Sequence, residues 1–378
     1  MFELTETSAM VQQAARSYAQ KYLAPIAAAL DRESRFPLEQ LRELAGLGLM
    51  GVNVPEDLGG AQAGAVSYVL AMMEIAQGCA STAVTMAVNN MVAETIVRFG
   101  SAEQKQKYVP EITSGRFAAA SYALSEPHSG SDAASLRTRA SRDGDGWVLN
   151  GSKQWITSGD HAGVIIVWAR TGELGSKGIS CFLVEAGARG LQIGKHEDKM
   201  GLRASSTVPL GFEDLRVPGS ALLGSLGQGF AIAMAALDGG RVGIAAQAVG
   251  IGLAALDAAV RYAKERQAFG QPIANHQAVR FMIADSATEM DAARLLVLRA
   301  AGLKEAGQRY AREASMAKLF ATEKANKAAD IGVQIHGGYG YIDEFPAERH
   351  YRDARVTTIY EGTSEVQRIV IAREVLAG

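Results

Sequence analysis

The sequence predicts an α+β protein of several domains: an N-terminal α-helical domain, a central β domain of barrel or sandwich type, and a C-terminal helical domain. Two observations carry this. Apolar residues recur at helical spacing up to about residue 118 and again from about residue 226, whereas short β-rich runs separated by Gly, Asp and Ser fill the stretch between. The chain, with 378 residues of which 48% are hydrophobic, is also long and apolar enough for more than one buried core. The expected boundaries are 1–118, 119–225 and 226–378.

Val11, Ala14, Tyr18 and Tyr22 mark one face of a first helix. "PLEQLRELAGLGLMG" reads as a helix entered at Pro37 and ended by glycines. In "SAEQKQKYVPEI", Ser101 caps a helix and Gln104 completes a capping box. The β runs are "GWVLNG", "GVIIVWA", "ISCFLVE" and "TVPLGFE"; Pro209 in the last suits an edge strand. Further on, Ile283, Ala287, Met290, Val297 and Ala301 form one face of a long helix, and Gly337-Gly338 stop another. Asp238 and Arg241, three apart, are expected at a helix start.

Net charge is −2 and basic residues are scattered, which gives no reason to expect nucleic acid or an anionic membrane as partner. No apolar run is read as long enough to insert in a membrane. The N-terminal stretch lacks the layout of a targeting peptide, and Cys79 and Cys181 lie far apart without metal-ligand spacing, so a reducing cytoplasm is the expected location. Gly46, Gly48 and Gly51 fit G-x-G-x-x-G but follow a helix rather than a strand, which argues against a dinucleotide fingerprint. "GWVLNGSK" misses the P-loop by one place, and the six histidines show no ligand spacing.

Four stretches combine residues suited to chemistry. "YALSEPHSGSDAAS" offers hydroxyls and turn glycines able to hold a phosphate, an amide or the edge of a flavin ring. In "GSKQWITSG", Trp155 and Thr157 share a strand face, so an indole could cover a flat ring beside a hydroxyl. "LDGGRVGIAAQ" pairs Asp238 with Arg241. In "IYEGTSEVQR", Ser364 with Gln367 reads as a capping box and Glu365 as the first-turn acid, which leaves Glu361 outside the helix and free for other work.

With "VPEDLGG", "ALSEPHSGSD", "WVLNGSKQWITSG", "EDKMGLRASST", "ERQAFGQPIANHQ", "QIHGGYGYIDEFPAERHYRDAR" and "IYEGTSEVQR" in order along almost the whole chain, the sequence resembles the acyl-CoA dehydrogenases, among them most the short-chain (butyryl-CoA) members. The resemblance implies a β-barrel-like central domain, a C-terminal four-helix bundle and bound FAD. It also implies a homotetramer built as a dimer of dimers, and an electron-transferring flavoprotein as acceptor. The implied reaction is α,β-dehydrogenation of an acyl-CoA thioester to the trans-2-enoyl-CoA, a base taking the α proton while the β hydride goes to flavin N5.

Carried over position by position, the resemblance makes Glu361 the base; the position from which some relatives supply the base instead matches Gly240 here. It assigns Tyr122, Leu124, Ser125, Ser131, Trp155, Ile156 and Thr157 to the flavin, with Ser131 also near CoA, and Thr363 and Glu365 to the adenosine diphosphate. Arg266, Phe269, His276, Gln277, Gln334, Gly337 and Gly338 match contacts to a neighbouring subunit's FAD. Asp238, Arg241, Tyr360 and Gly362 match substrate contacts. His128 departs from the Gly found in many relatives. Competing readings are a branched or medium-chain acyl-CoA as substrate, an oxygen-reactive oxidase or monooxygenase of the same fold, and a non-catalytic binding scaffold.

Overall fold

The structure is a computed structural model and describes residues 4–377. Six helices come first: α1 (Glu6–Tyr18), α2 (Ala27–Glu33), α3 (Leu38–Gly46), α4 (Ala65–Gly78), α5 (Ala80–Phe99) and α6 (Ala102–Thr113). Ser101 caps α6, and Gln104 returns the bond to its backbone, as the capping-box spacing predicts. The buried face of α1 is not the expected one. Ala15 and Tyr18 are buried, whereas Ala14 and Tyr22 are exposed. A π turn at Ala19–Leu23 follows α1 and inserts one residue per turn, so Leu23 takes the core position that an unbroken α-helix would give to Tyr22.

Eight strands follow: β1 (Ala119–Ala123), β2 (Arg139–Asp143), β3 (Gly146–Thr157), β4 (Ala162–Arg170), β5 (Ile179–Glu185), β6 (Leu191–Ile193), β7 (Thr207–Val217) and β8 (Leu222–Leu223). Their order is β6-β7-β3-β2-β4-β5-β8, with β1 parallel to β4, so the sheet is an open path rather than a barrel closed by hydrogen bonds. Pro209 is not on an edge strand. β7 pairs with both β3 and β6, and Pro209 falls where the β3–β7 register slips, a bulge that needs no N–H from it. On β4, Ile165, Val167 and Ala169 enter one core while Val164, Ile166 and Trp168 enter another shared with α5 and α6, which explains its unbroken apolar run.

The remainder is α7 (Gly229–Glu265), a short hairpin of β9 (Gln267–Ala268) and β10 (Gln271–Pro272), α8 (Gln277–Glu305), α9 (Ala311–His336), α10 (Ala347–Arg355) and α11 (Ser364–Leu376). By length and composition α7 qualifies as a membrane span, contrary to the sequence reading; 89% of its most apolar window is buried inside the protein, so it is a core helix. Its core residues join a cluster with α4, α8 and α9. Asp238 and Arg241 therefore lie well inside α7, not at its start.

Candidate active site

After α10, a single 3-10 turn leads into Tyr360-Glu361-Gly362 and then α11. Glu361 has φ 54° and Gly362 φ 87°, two successive left-handed residues. Gly suits such a conformation, whereas a glutamate is held in it only by its surroundings. The holders are visible. Gln367 donates from Nε2 to the Glu361 carbonyl at 3.2 Å and to the Gly362 carbonyl at 2.8 Å, and Lys318 on α9 donates from Nζ to the same Gly362 carbonyl at 2.7 Å. The expected capping box is accordingly displaced by one residue: Thr363 is the N-cap and accepts from Val366 N–H, while Gln367 is committed to the turn. Glu365 is exposed in the first turn.

The Glu361 residue keeps some surface, but its Oε2 is shut from solvent and has no hydrogen-bond partner. A Cβ placed on Gly240 would meet that oxygen at 2.8 Å and Met91 Sδ at 3.0 Å, so α7 presents bare backbone to the carboxyl. Burial pushes the Glu361 carboxyl up to about 7, against the opposing pull of the Arg241 and Lys318 charges. Arg241 is buried and pairs with Asp238 at 2.6 Å, yet its Nε has no partner. Tyr122 donates to the Ala233 carbonyl at 3.2 Å, and Tyr360 donates to Gln247 Oε1. Burial raises Tyr68, Tyr122 and Tyr360, and the Glu361 charge raises each further, after Glu94 in the case of Tyr68.

The β domain contributes a second surface. Trp155 has φ 63° and is 62% exposed, far from a core tryptophan. Ile156 between it and Thr157 is buried, so the two flanking residues lie on the outer side. The following Ser158 also has positive φ, and its buried Oγ lacks a partner. Leu124 is buried and Ser125 half-buried in the loop after β1; the Ser125 carbonyl accepts from Gln154 N–H at 2.9 Å, and Ser131 is exposed. Glu126 anchors this loop by accepting from Arg137 N–H at 2.6 Å, Thr138 N–H at 2.9 Å and the fully buried Lys153 at 2.8 Å. His128 stands 3.6 Å from the same carboxylate.

Arg266, Gly337 and Gly338 line a separate cavity of about 440 Å³ with Tyr262, Tyr339 and His336. Phe269, at φ 52°, is 95% exposed on the hairpin tip, 5.8 Å between ring centres from His276, whose Nε2 lies 3.2 Å from the Ala268 carbonyl. Gln277 opens α8, and Gln334 is exposed in the last turn of α9. Among the described residues, no hydrogen bond or ion pair links this group to the Glu361 turn.

Profiles of the acyl-CoA dehydrogenase N-terminal, middle and C-terminal domains match residues 5–116, 121–215 and 227–376. The chain is 52% identical to the short-chain specific acyl-CoA dehydrogenase, mitochondrial, of Bos taurus over 99% of its length and 91% of that protein. The butyryl-CoA dehydrogenase of Megasphaera elsdenii superposes with a TM-score of 0.97 at 40% identity over the whole of both chains. A chain from the work on the electron transferring flavoprotein of Acidaminococcus fermentans and its flavin-based electron bifurcation gives 0.98 at 44%, again over both chains in full. An acid of raised affinity for protons, its Oε2 shut from solvent against bare backbone on a helical–β–helical frame, has the features of a general base in an enzyme site. The chain belongs to the acyl-CoA dehydrogenase family and is an acyl-CoA dehydrogenase of that three-domain fold. Members of the family are FAD-dependent flavoproteins, and FAD is its cofactor.

The residues present fit that cofactor. The exposed Trp155 and the unpartnered Ser158 hydroxyl offer a planar wall with a free polar group, and Arg266 lies over a cavity in which Gly337 and Gly338 have open space. Sequence reading missed Lys318, Met91 and Ser158, and gave Gln367 to a capping box instead of the turn. Lys318 had a usable signal: a lone lysine inside the apolar run "ASMAKLFA".

Proposed function

We propose that this chain dehydrogenates short-chain acyl-CoA thioesters at Cα–Cβ, with Glu361 as the base that removes the α proton. The observation that carries this is the sealed, unpartnered Glu361 Oε2 opposite Gly240. A carboxylate solvated by water is too weak a base for a Cα–H; one held in an apolar pocket, with affinity for the proton raised to about 7, matches the working pH. Gly240 leaves the space in front of it to substrate. The Glu361 N–H makes no hydrogen bond within the described chain and is available to the thioester oxygen, where it would stabilise enolate charge. Asp238 and Arg241 would lie near the pantetheine and acyl end, and Tyr360 and Gly362 would flank the thioester.

FAD, when bound, supplies the hydride acceptor. Trp155, Ile156, Thr157, Tyr122, Leu124, Ser125 and Ser131 would hold its ring and ribityl chain, with Thr363 and Glu365 near the phosphates. The Arg266 cavity, with Phe269, His276, Gln277, Gln334, Gly337 and Gly338, would serve the FAD of a second subunit in a homotetramer, a guanidinium being suited to a pyrophosphate. Its separation from the Glu361 turn supports that reading. An electron-transferring flavoprotein is the proposed acceptor, supported by the likeness to the Acidaminococcus chain. A cytoplasmic place and a role in fatty acid β-oxidation complete the proposal. Anaerobic titration with acyl-CoAs of increasing length, followed by flavin bleaching, tests it: butyryl-CoA should bleach fastest, and Glu361→Gln should keep FAD while losing bleaching. Rapid bleaching by Glu361→Gln would remove Glu361 from the role.

A further inference from the structure

Lys318 is among the largest side chains buried completely, with no exposed surface, on a buried face of α9 shared with Ala314, Ser315, Ala321 and Thr322. Among the described residues it forms no ion pair within 4.0 Å; its one hydrogen bond runs to the Gly362 carbonyl. That carbonyl already has a neutral donor in Gln367. A second donor at the same oxygen adds little geometry, and burying an ammonium is costly. What a lysine adds there is charge. The charged groups that face it are Glu361 from the turn, Arg241 from α7 and Glu365 from α11.

Resting on the reading of Glu361 as the base, we propose that Lys318 is its positioning residue: the buried ammonium clamps the left-handed turn through the Gly362 carbonyl and, by its charge, keeps the Glu361 carboxylate a free proton acceptor at neutral pH. Lys318 takes no proton from substrate; it acts through Glu361. Burial presses Lys318 itself down to about 8, partly offset by Glu361. Its charge therefore matters most near neutral pH, where Glu361 would otherwise hold its proton, and ceases to matter in alkali.

The test is the pH dependence of flavin reduction by butyryl-CoA in the FAD-loaded enzyme, compared with Lys318→Gln, Lys318→Met and Lys318→Arg. Gln keeps a donor without charge, Met removes both, and Arg keeps both. The acid limb should move to higher pH by about half a unit or more in Gln and Met alike, with rates down about twofold or more at pH 7 and converging with wild type in alkali. Arg should restore the position of the limb, whatever its absolute rate. A Lys318→Gln profile superimposed on wild type overturns the proposal, as does an Arg variant whose limb stays with Gln; these two carry the test if Met does not fold. Thermal melts give a readout independent of turnover: at pH 8, Lys318→Met should lower the melting temperature more in the wild-type background than in Glu361→Gln, and equal losses would count against the coupling. If Glu361→Gln itself still bleaches rapidly, the base assignment fails; if it does not and Lys318→Gln is unchanged, only the role of Lys318 fails.

Discussion

Glu126 and Glu361 each stand near a lysine with no exposed surface, one in the sheet and one in the helical bundle. In both places burial presses the lysine down to about 8. The acids diverge. Burial alone would raise Glu126, but the Lys153 charge and hydrogen bonds from Lys153, Thr138 and Arg137 outweigh it and hold it below the usual carboxylate range. Glu361 has its Oε2 unpartnered and its lysine turned to a backbone carbonyl, and burial wins. Satisfied hydrogen bonds make the first a structural anchor for the Leu124–Ser131 loop. Their absence suits the second to the role of base proposed for it.

The comparison can be broken from either side. The largest effect is expected on chemistry: Glu361→Gln should slow flavin reduction by butyryl-CoA at least about a thousandfold, seen by anaerobic stopped flow. Next, Lys153→Met leaves the Glu126 charge buried without its partner and should cost about 3–5 kcal/mol in denaturant unfolding. Smaller and opposite in sign, Glu361→Gln should stabilise the protein by about 1–3 kcal/mol at pH 8. The folded Glu361 binds its proton up to about 7 while the unfolded side chain releases it near 4.5, so its contribution is fully present below that lower value and is lost as pH rises toward 7. Glu126, held below 4.5, behaves inversely: its stabilisation is present above 4.5 and fades in acid. Melting curves from pH 4 to pH 8 separate the two. Least of all, Gly240→Ala sets a methyl 2.8 Å from Glu361 Oε2 and should slow reduction about tenfold with little change in melting temperature.

The helical–β–helical order was legible because period 3.6 and period 2 leave different traces, and the Ser101–Gln104 cap because its chemistry is local. What failed was set by tertiary partners or by counting across an irregularity. The π turn at Ala19–Leu23 put Leu23 rather than Tyr22 in the core. Pro209 read as an edge because its bulge partner on β3 lies some fifty positions away. Ser364 and Gln367 satisfied the capping-box spacing, but Gln367 turned back to the Glu361 and Gly362 carbonyls, so Thr363 became the cap. Glu361 itself stood out as an acid without local employment; that α7 would meet it with bare backbone at Gly240 needed the fold. Lys318 showed itself only as a lone lysine in an apolar run, because its carbonyl partner is 44 positions distant.

Helix α7 carries Arg241 beside the proposed base and delivers the chain to Arg266 at the rim of the other cavity. At 1.5 Å per residue those two arginines are about 37 Å apart along one rigid rod. A single inserted residue between them would turn one by about 100° relative to the other. The rod is thus a ruler shared by two sites: substitution leaves its length unchanged, whereas insertion would move one site against the other. Chains of this family that keep both sites are expected to vary in the loops at the ends of this helix and to hold its residue count unchanged.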